Sequence, residues 1–430
     1  MSWRLAYRNL FRNKRRSLST GLAICVGFVA MNLLGAYIYR SQRSVMATSI
    51  YLSQKGHFLL YHQGGVDGFQ IRPKQFAIQK QQQQEIQDKI ITPLREQIEY
   101  TGEQMTSSAL LSNGHKSYPI IALGFDPQAY VRSIQQPELN KWAKDWVLPW
   151  QRDNAKLYLD HPDMIAVTQQ IASIMSFRNP LSENESVQIA ARSFDGDLNA
   201  INADLGAEHT TGMRFLEDTI VLVPIAKMQE LLATDSIESM SLYLREDVKL
   251  SSFEKELQEK AQGLSFPLDI YRFNDEKINS VYKGTMGFLY VMAAFFIFLI
   301  CTAVSLTIVN SLTMGIIERT REIGSLRAIG FKPRHIQQIF IRESLLISFF
   351  SMAVGTGLSF AFEVLINSLN IRFQPPGTNG TIQFMLSWNL GIAMAVGALL
   401  TVVAWLSSII VIRRKTNAKL INLLHDEGES

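Results

Sequence analysis

The residues whose types and spacing could do work in this chain cluster in one stretch, Met314–Glu343, reading MGIIERTREIGSLRAIGFKPRHIQQIFIRE. Glu318, Arg319, Arg321, Glu322 and Arg327 lie opposite Ile316, Ile323 and Leu326 at helical spacing. That pattern offers polar contacts on one helix face; it does not offer catalysis. Elsewhere the chain spells no G-x-x-x-x-G-K-[ST] phosphate cradle, no H-E-x-x-H and no G-x-S-x-G. The histidines (His57, His62, His115, His161, His209, His335, His425) stand singly, and the two cysteines, Cys25 and Cys301, fall inside apolar runs. No catalytic residue, metal set or cofactor site is expected. Glu363 is the one acid well inside an apolar run. Such residues usually face a partner helix or a cavity, unless they reach the headgroups from near a span end.

The elements that position these residues follow from where the apolar runs fall. Hydrophobic residues make up 47% of the 430 residues and charged residues 19%. The long apolar runs sit at the N-terminus and in the last third. Leu18–Tyr39 covers about 22 residues, enough to span roughly 30 Å of hydrocarbon. It is too long for a signal-peptide core and ends without a small-residue cleavage site. Three further spans are expected at 287–313, 345–369 and 388–412. Basic residues crowd the segment 1–17, the connecting stretch 314–343 and the tail 413–430, whereas the loop 370–387 holds one arginine and no acid. This places both termini and the connecting stretch on the cytoplasmic side. The net charge of +4 is too small to suggest nucleic acid. Ala353 with Gly357, and Ala393 with Gly397, are small-residue pairs that would let helices approach closely.

Residues 40–283 contain no spanning run and form the extracytoplasmic insertion between spans one and two. Ile86, Ile90, Leu94 and Ile98 predict a helix from about Gln75 to Glu99, with Gln81–Gln84 as its solvated face. Asn113-Gly114 predicts a hairpin turn between Ser108–Leu111 and Tyr118–Leu123. The region from Tyr130 to Pro180 reads as mostly helical, with Trp142 and Trp146 on one face. Strands are expected at Val187–Arg192, Thr219–Val223, Ser241–Leu244 and Leu268–Phe273, and helices after Pro224 and over Ser252–Gln262. The fold class is thus a membrane protein with four transmembrane α-helices and a large, two-lobed extracytoplasmic α+β domain between spans 1 and 2.

Within the connecting stretch, Glu318-Arg319-Thr320-Arg321-Glu322-Ile323-Gly324, Leu326-Arg327-Ala328-Ile329-Gly330 and Glu343 resemble the cytoplasmic coupling segment of the MacB/LolCE/FtsX superfamily of ABC transporter permeases. Leu5–Gly27 and, more weakly, Gly124-Phe125-Asp126-Pro127 also match that family. The resemblance implies a permease subunit without its own ATPase, in the bacterial inner membrane. A cytoplasmic ATPase dimer would use the ATP and dock on Glu318, Arg319, Arg321, Glu322, Gly324, Arg327, Ala328 and Gly330. A second permease subunit would complete the membrane part, with a periplasmic adaptor or chaperone and membrane lipid as further partners. Motion of the external domain would then extract or export a lipoprotein or amphiphile from the outer side. Two alternatives stay open: efflux of small hydrophobic compounds or peptides with an adaptor, and an FtsX-like relay that regulates a cell-wall hydrolase.

Overall fold

A computed structural model describes residues 14–177, 185–375, 377–378 and 380–416. The basic segment up to residue 13, Pro376 and the tail from residue 417 therefore lie outside the described residues. The chain divides into two compact units: Met1–Ser41, Gly287–Ile371 and Phe384–Ser430 form one, and Gln42–Met286 with Arg372–Gln383 form the other.

The first unit is built on four helices long and apolar enough to cross a membrane. They run Lys14–Ala47, Ser280–Glu318, Pro333–Ser368 and Leu390–Thr416. The first two overrun their expected spans at both ends, the third at its start and the fourth at its end, because polar flanks with good helix propensity extend the helix beyond the apolar run. Ile24 and Phe28 pack with Val304, Ile308 and Leu312, with Ile347 and with Leu400 and Ala404, a core laid down at one-turn spacing. Large apolar side chains such as Phe295, Phe298, Val354, Phe360 and Met394 point outward instead. A helix apolar all round suits hydrocarbon, not water. The first helix approaches the others through small residues. A Cβ at Gly21 would meet Ser351 at 3.0 Å, at Gly27 Val304 at 2.8 Å, and at Gly35 Ile392 at 2.6 Å. The expected role of Gly357 is not observed, since nothing lies within 4 Å of a Cβ placed there. The close contact falls two residues earlier, where a Cβ at Gly355 would stand 2.7 Å from Phe28. A turn of two residues carries it to the opposite side of the helix.

The second unit holds a nine-stranded sheet. In chain order its strands are β1 Phe58–His62, β2 Ile98–Ser112, β3 Ser117–Phe125, β4 Met164–Val167, β5 Glu185–Arg192, β6 Leu198–Glu208, β7 Ile220–Pro224, β8 Ser239–Leu244 and β9 Leu268–Arg272. Strands β2, β3, β7, β4, β6 and β5 follow one another round a closed ring, because β2 pairs with both β3 and β5. Its interior is packed with Met105, Leu111, Ala122, Ile165, Ile189 and Val221. The first half of β2 pairs instead with β8, which leads to β1 and β9. That second lobe buries Phe58, Leu60 and Leu242 against helix Leu250–Ala261 through Phe253 and Leu257. One long strand thus serves two cores.

Several local expectations are corrected. The helix expected over Gln75–Glu99 is broken: Ile78 forms a bridge with Ile237, the helix starts at Lys80, and β2 has begun by Ile98. The four-residue period of Ile86, Ile90, Leu94 and Ile98 still marks burial, since all four face one core. Gln83 turns inward from the supposed solvated face and donates to the Ile78 and Asp235 carbonyls at 3.0 and 3.2 Å. Ala143, at φ −136°, breaks the helix between Trp142 and Trp146, so no continuous helix sets the two on one face. The stretch expected to be helical also contains β4, whose four residues are all buried and too short for periodicity to identify.

Candidate functional site

The connecting segment forms as a short helix, Thr320–Ala328. Only Arg319 separates it from the preceding membrane helix, and the Thr320 hydroxyl donates to the Ile316 and Ile317 carbonyls at 3.0 and 2.9 Å. It ends where Gly330 takes φ +100°, a left-handed conformation that L side chains rarely adopt. The next helix then starts at Pro333, where a missing N–H costs nothing. Ile316 and Ile323 are buried in the helical core, while Ser325, Ala328, Ile329 and Gly330 are exposed. Gly324 is buried. The side chains of Arg321, Glu322 and Arg327 lie outside the described ones.

Two of the singled-out residues turn inward. Arg319 is 5% exposed, and its guanidinium lies 3.6 Å from the carboxylate of Glu343, itself fully buried. Glu318 is exposed. Sequence reading placed Arg319 on the polar face and took Glu343 as a motif residue at the start of the next span, without pairing the two. An Arg and a Glu 24 positions apart carry no local signal of pairing. Glu363 has a backbone partner: its carboxylate accepts the Trp388 N–H at 3.0 Å, just before the fourth helix. Nearby, Asn367 donates to the Leu386 carbonyl and accepts the Leu386 N–H at 3.1 and 2.9 Å. The loop's return is therefore anchored by hydrogen bonds, and Glu363 acts there as a structural acceptor.

The outer unit carries two neighbouring cavities that sequence reading did not locate. One, of about 300 Å³, is lined by Asp145, Trp146, Gln169, Glu208 and Glu217. Glu217 is satisfied: its carboxylate accepts from the Thr210 hydroxyl, the Thr211 N–H and the Thr211 hydroxyl at 2.7, 2.6 and 2.8 Å. Asp145 accepts the Gln383 N–H at 3.0 Å and pairs with Arg372 at 3.5 Å, holding residues 372–383 within this unit. His209 lines both cavities and donates to the Ile220 carbonyl at 3.2 Å. Burial pushes its imidazole down to about 4, so it is neutral at physiological pH. The other cavity, of about 390 Å³, lies against Leu59, Leu123, Leu222, Lys55 and Glu238. No group of three or more metal-ligating side chains occurs among the described residues.

Residues 294–416 match the FtsX-like permease C-terminal family. The macrolide export ATP-binding/permease protein MacB of Neisseria gonorrhoeae is 23% identical over 170 residues, which cover 40% of this chain and 26% of that protein. The ABC transporter permease YtrF of Bacillus subtilis is 35% identical over 88 residues, 20% of each chain. The chain thus spans about a quarter or less of the length of these relatives. Among solved structures, the periplasmic region of MacB from Actinobacillus actinomycetemcomitans covers 54% of this chain and 92% of its own, at 14% identity and a TM-score of 0.32. The architecture described above rests on the chain itself and not on that likeness. Residues 294–416 are thus similar to the FtsX-like permease C-terminal family, within a chain that has four helices apolar enough to cross a membrane and an inserted α+β unit.

Proposed function

We propose that this permease couples ATP hydrolysis by a separate cytoplasmic ATPase dimer to motion of its outer unit. A lipoprotein or amphiphile would be extracted or exported from the outer side of the inner membrane. The observation that carries the reading is the connecting helix Thr320–Ala328, with Ile329 exposed beyond its end and Gly330 turning the chain sharply. Ile329, exposed at the end of that helix, offers a partner protein one apolar contact. In this reading Glu322 and Arg327 make the polar contacts, while Ala328 and Gly330 allow close approach. The Arg319–Glu343 pair fixes the base of the segment to the third helix, so that force on one reaches the other.

The similarity to a macrolide export protein favours a second reading, efflux of small hydrophobic compounds through a partner conduit. The test is co-purification from gently solubilised membranes of wild type, Glu322→Lys and Arg327→Glu. A cytoplasmic ATPase should accompany the wild type and fall several-fold in both variants at equal membrane levels. An unchanged ATPase yield would sink the coupling assignment. A cell-wall hydrolase in place of transported material would point to a regulatory relay.

A further inference from the structure

Alternation along the strands determines which side chains the two cores leave over. On β1, Phe58 and Leu60 enter the second lobe's core, and Leu59 and Tyr61 face the other way. On β2, Met105 enters the ring's interior, and Gln104 and Thr106 do not. On β7, Val221 and Val223 face in, and Ile220 and Leu222 face out. These leftover side chains, with Leu123 of β3, floor the 390 Å³ cavity. Leu59, Leu123, Ile220 and Leu222 give it an apolar floor while Gln104, Thr106, Gln151, Thr210 and Thr211 add polar walls, a size and mix suited to an amphiphilic small molecule.

The charges round that floor do not balance. The Lys55 ammonium donates to the Ile278 carbonyl and makes no ion pair among the described residues. Burial pushes its amine down to about 8, which leaves it mostly charged at neutral pH. Across the cavity, Glu238 places both of its hydrogen bonds on one carboxylate oxygen, Oε2, which accepts the Thr106 N–H at 2.7 Å and the Thr106 hydroxyl. Burial raises its carboxyl to about 7, so it supplies only part of a counter-charge. Lys277 is occupied over the Tyr271 ring at 5.7 Å.

We propose that this cavity binds a single-chain anionic amphiphile, its acyl chain along Leu59, Leu123 and Leu222 and its acidic head on Lys55. A cationic head would meet the Lys55 charge, and an uncharged one would leave that charge without an opposite partner. The volume takes one chain and excludes a folded protein. The inference rests on the export reading for its biological sense, naming the chemistry of what is carried, but the binding needs no ATPase.

The test uses the full chain in phosphatidylcholine nanodiscs without partner proteins, with empty discs as background. Displacement of cis-parinaric acid is followed on adding dodecanoate, lauroyl-lysophosphatidylglycerol or dodecyltrimethylammonium. Either acid, or both, should displace the probe saturably, and the choice between them tells a free fatty acid from a lysophospholipid. Affinity should fall about tenfold in Lys55→Gln and persist in Lys55→Arg, which also reports that the site still folds. A photoreactive fatty acid should label the peptides around Leu59, Leu123 and Leu222. Equal binding of the cationic analogue, unchanged affinity in Lys55→Gln, or labelling confined to the membrane helices would overturn the proposal. Saturable acid binding alongside failed ATPase capture would remove the coupling reading and leave this site standing.

Discussion

The two units treat buried charge in opposite ways. In the helical unit, Arg319 and Glu343 are both buried and lie opposite one another at 3.6 Å. In the other unit, Lys55 has a carbonyl and Glu238 has Thr106, and neither makes an ion pair among the described residues. Packed helices close Arg319 and Glu343 off from water, so each charge needs the other. A cavity wall in a water-facing domain can shift the pKa of its groups and hold a charge for an incoming molecule. In this chain, the matched charges hold the structure together and the unmatched one marks a place for a ligand.

Removing one partner of the buried pair tests the first half of that contrast and should have the largest effect. Glu343→Leu leaves Arg319 without its carboxylate and should cost about 3–5 kcal/mol. Thermal unfolding in detergent would read this as a clear loss of stability, partly recovered when Arg319→Leu is added. A wild-type melting curve for Glu343→Leu would mean that the pair does not hold the segment. Packing gives a smaller test within the same helix. Gly355→Val drives a side chain into Phe28 and should cost about 1–3 kcal/mol. Gly357→Val meets open space within the chain and should stay close to neutral. If the two substitutions cost the same, the approach of the first and third helices at Gly355 is not close.

How much of each unit could be read in advance follows from the range of the forces involved. The helices, the turn at Gly330 and the restart at Pro333 are local: apolar runs, a glycine free to adopt positive φ, and a residue without an N–H. In the outer unit, the Asn113-Gly114 hairpin and the helix after Pro224 are equally local and were legible. The shared use of β2 by two cores was not. Nothing in Ile98–Ser112 tells that its first half pairs with β8 and its second with β5. Strand β6, Leu198–Glu208, alternates in burial but carries small and polar residues that mask the pattern. The Arg319–Glu343 pair and the Lys55–Glu238 cavity were hidden for the same reason: each joins residues far apart in the chain.

The smallest expected effect separates burial from counter-charge in the outer unit. The Glu238 carboxyl is raised from an ordinary value of 4.5 to about 7 by burial, against the pull of its Thr106 hydrogen bonds. Below about pH 4.5 it is protonated whether folded or unfolded, so its burial costs no ionisation energy. Between about 4.5 and 7 the unfolded chain ionises first, and stability is lost as pH rises; above about 7 the loss is constant. Glu238→Gln cannot ionise, so its stability relative to wild type should increase over that window and then level off. His209 works in the other direction, losing stability as pH falls from 6.5 towards about 4, but it is present in both proteins and cancels in the difference. Hydrogen exchange of the β8 amides at pH 5, 6, 7 and 8 would measure it. A difference independent of pH would mean that Glu238 already holds a counter-charge, and the contrast between the two units would then rest on Lys55 alone.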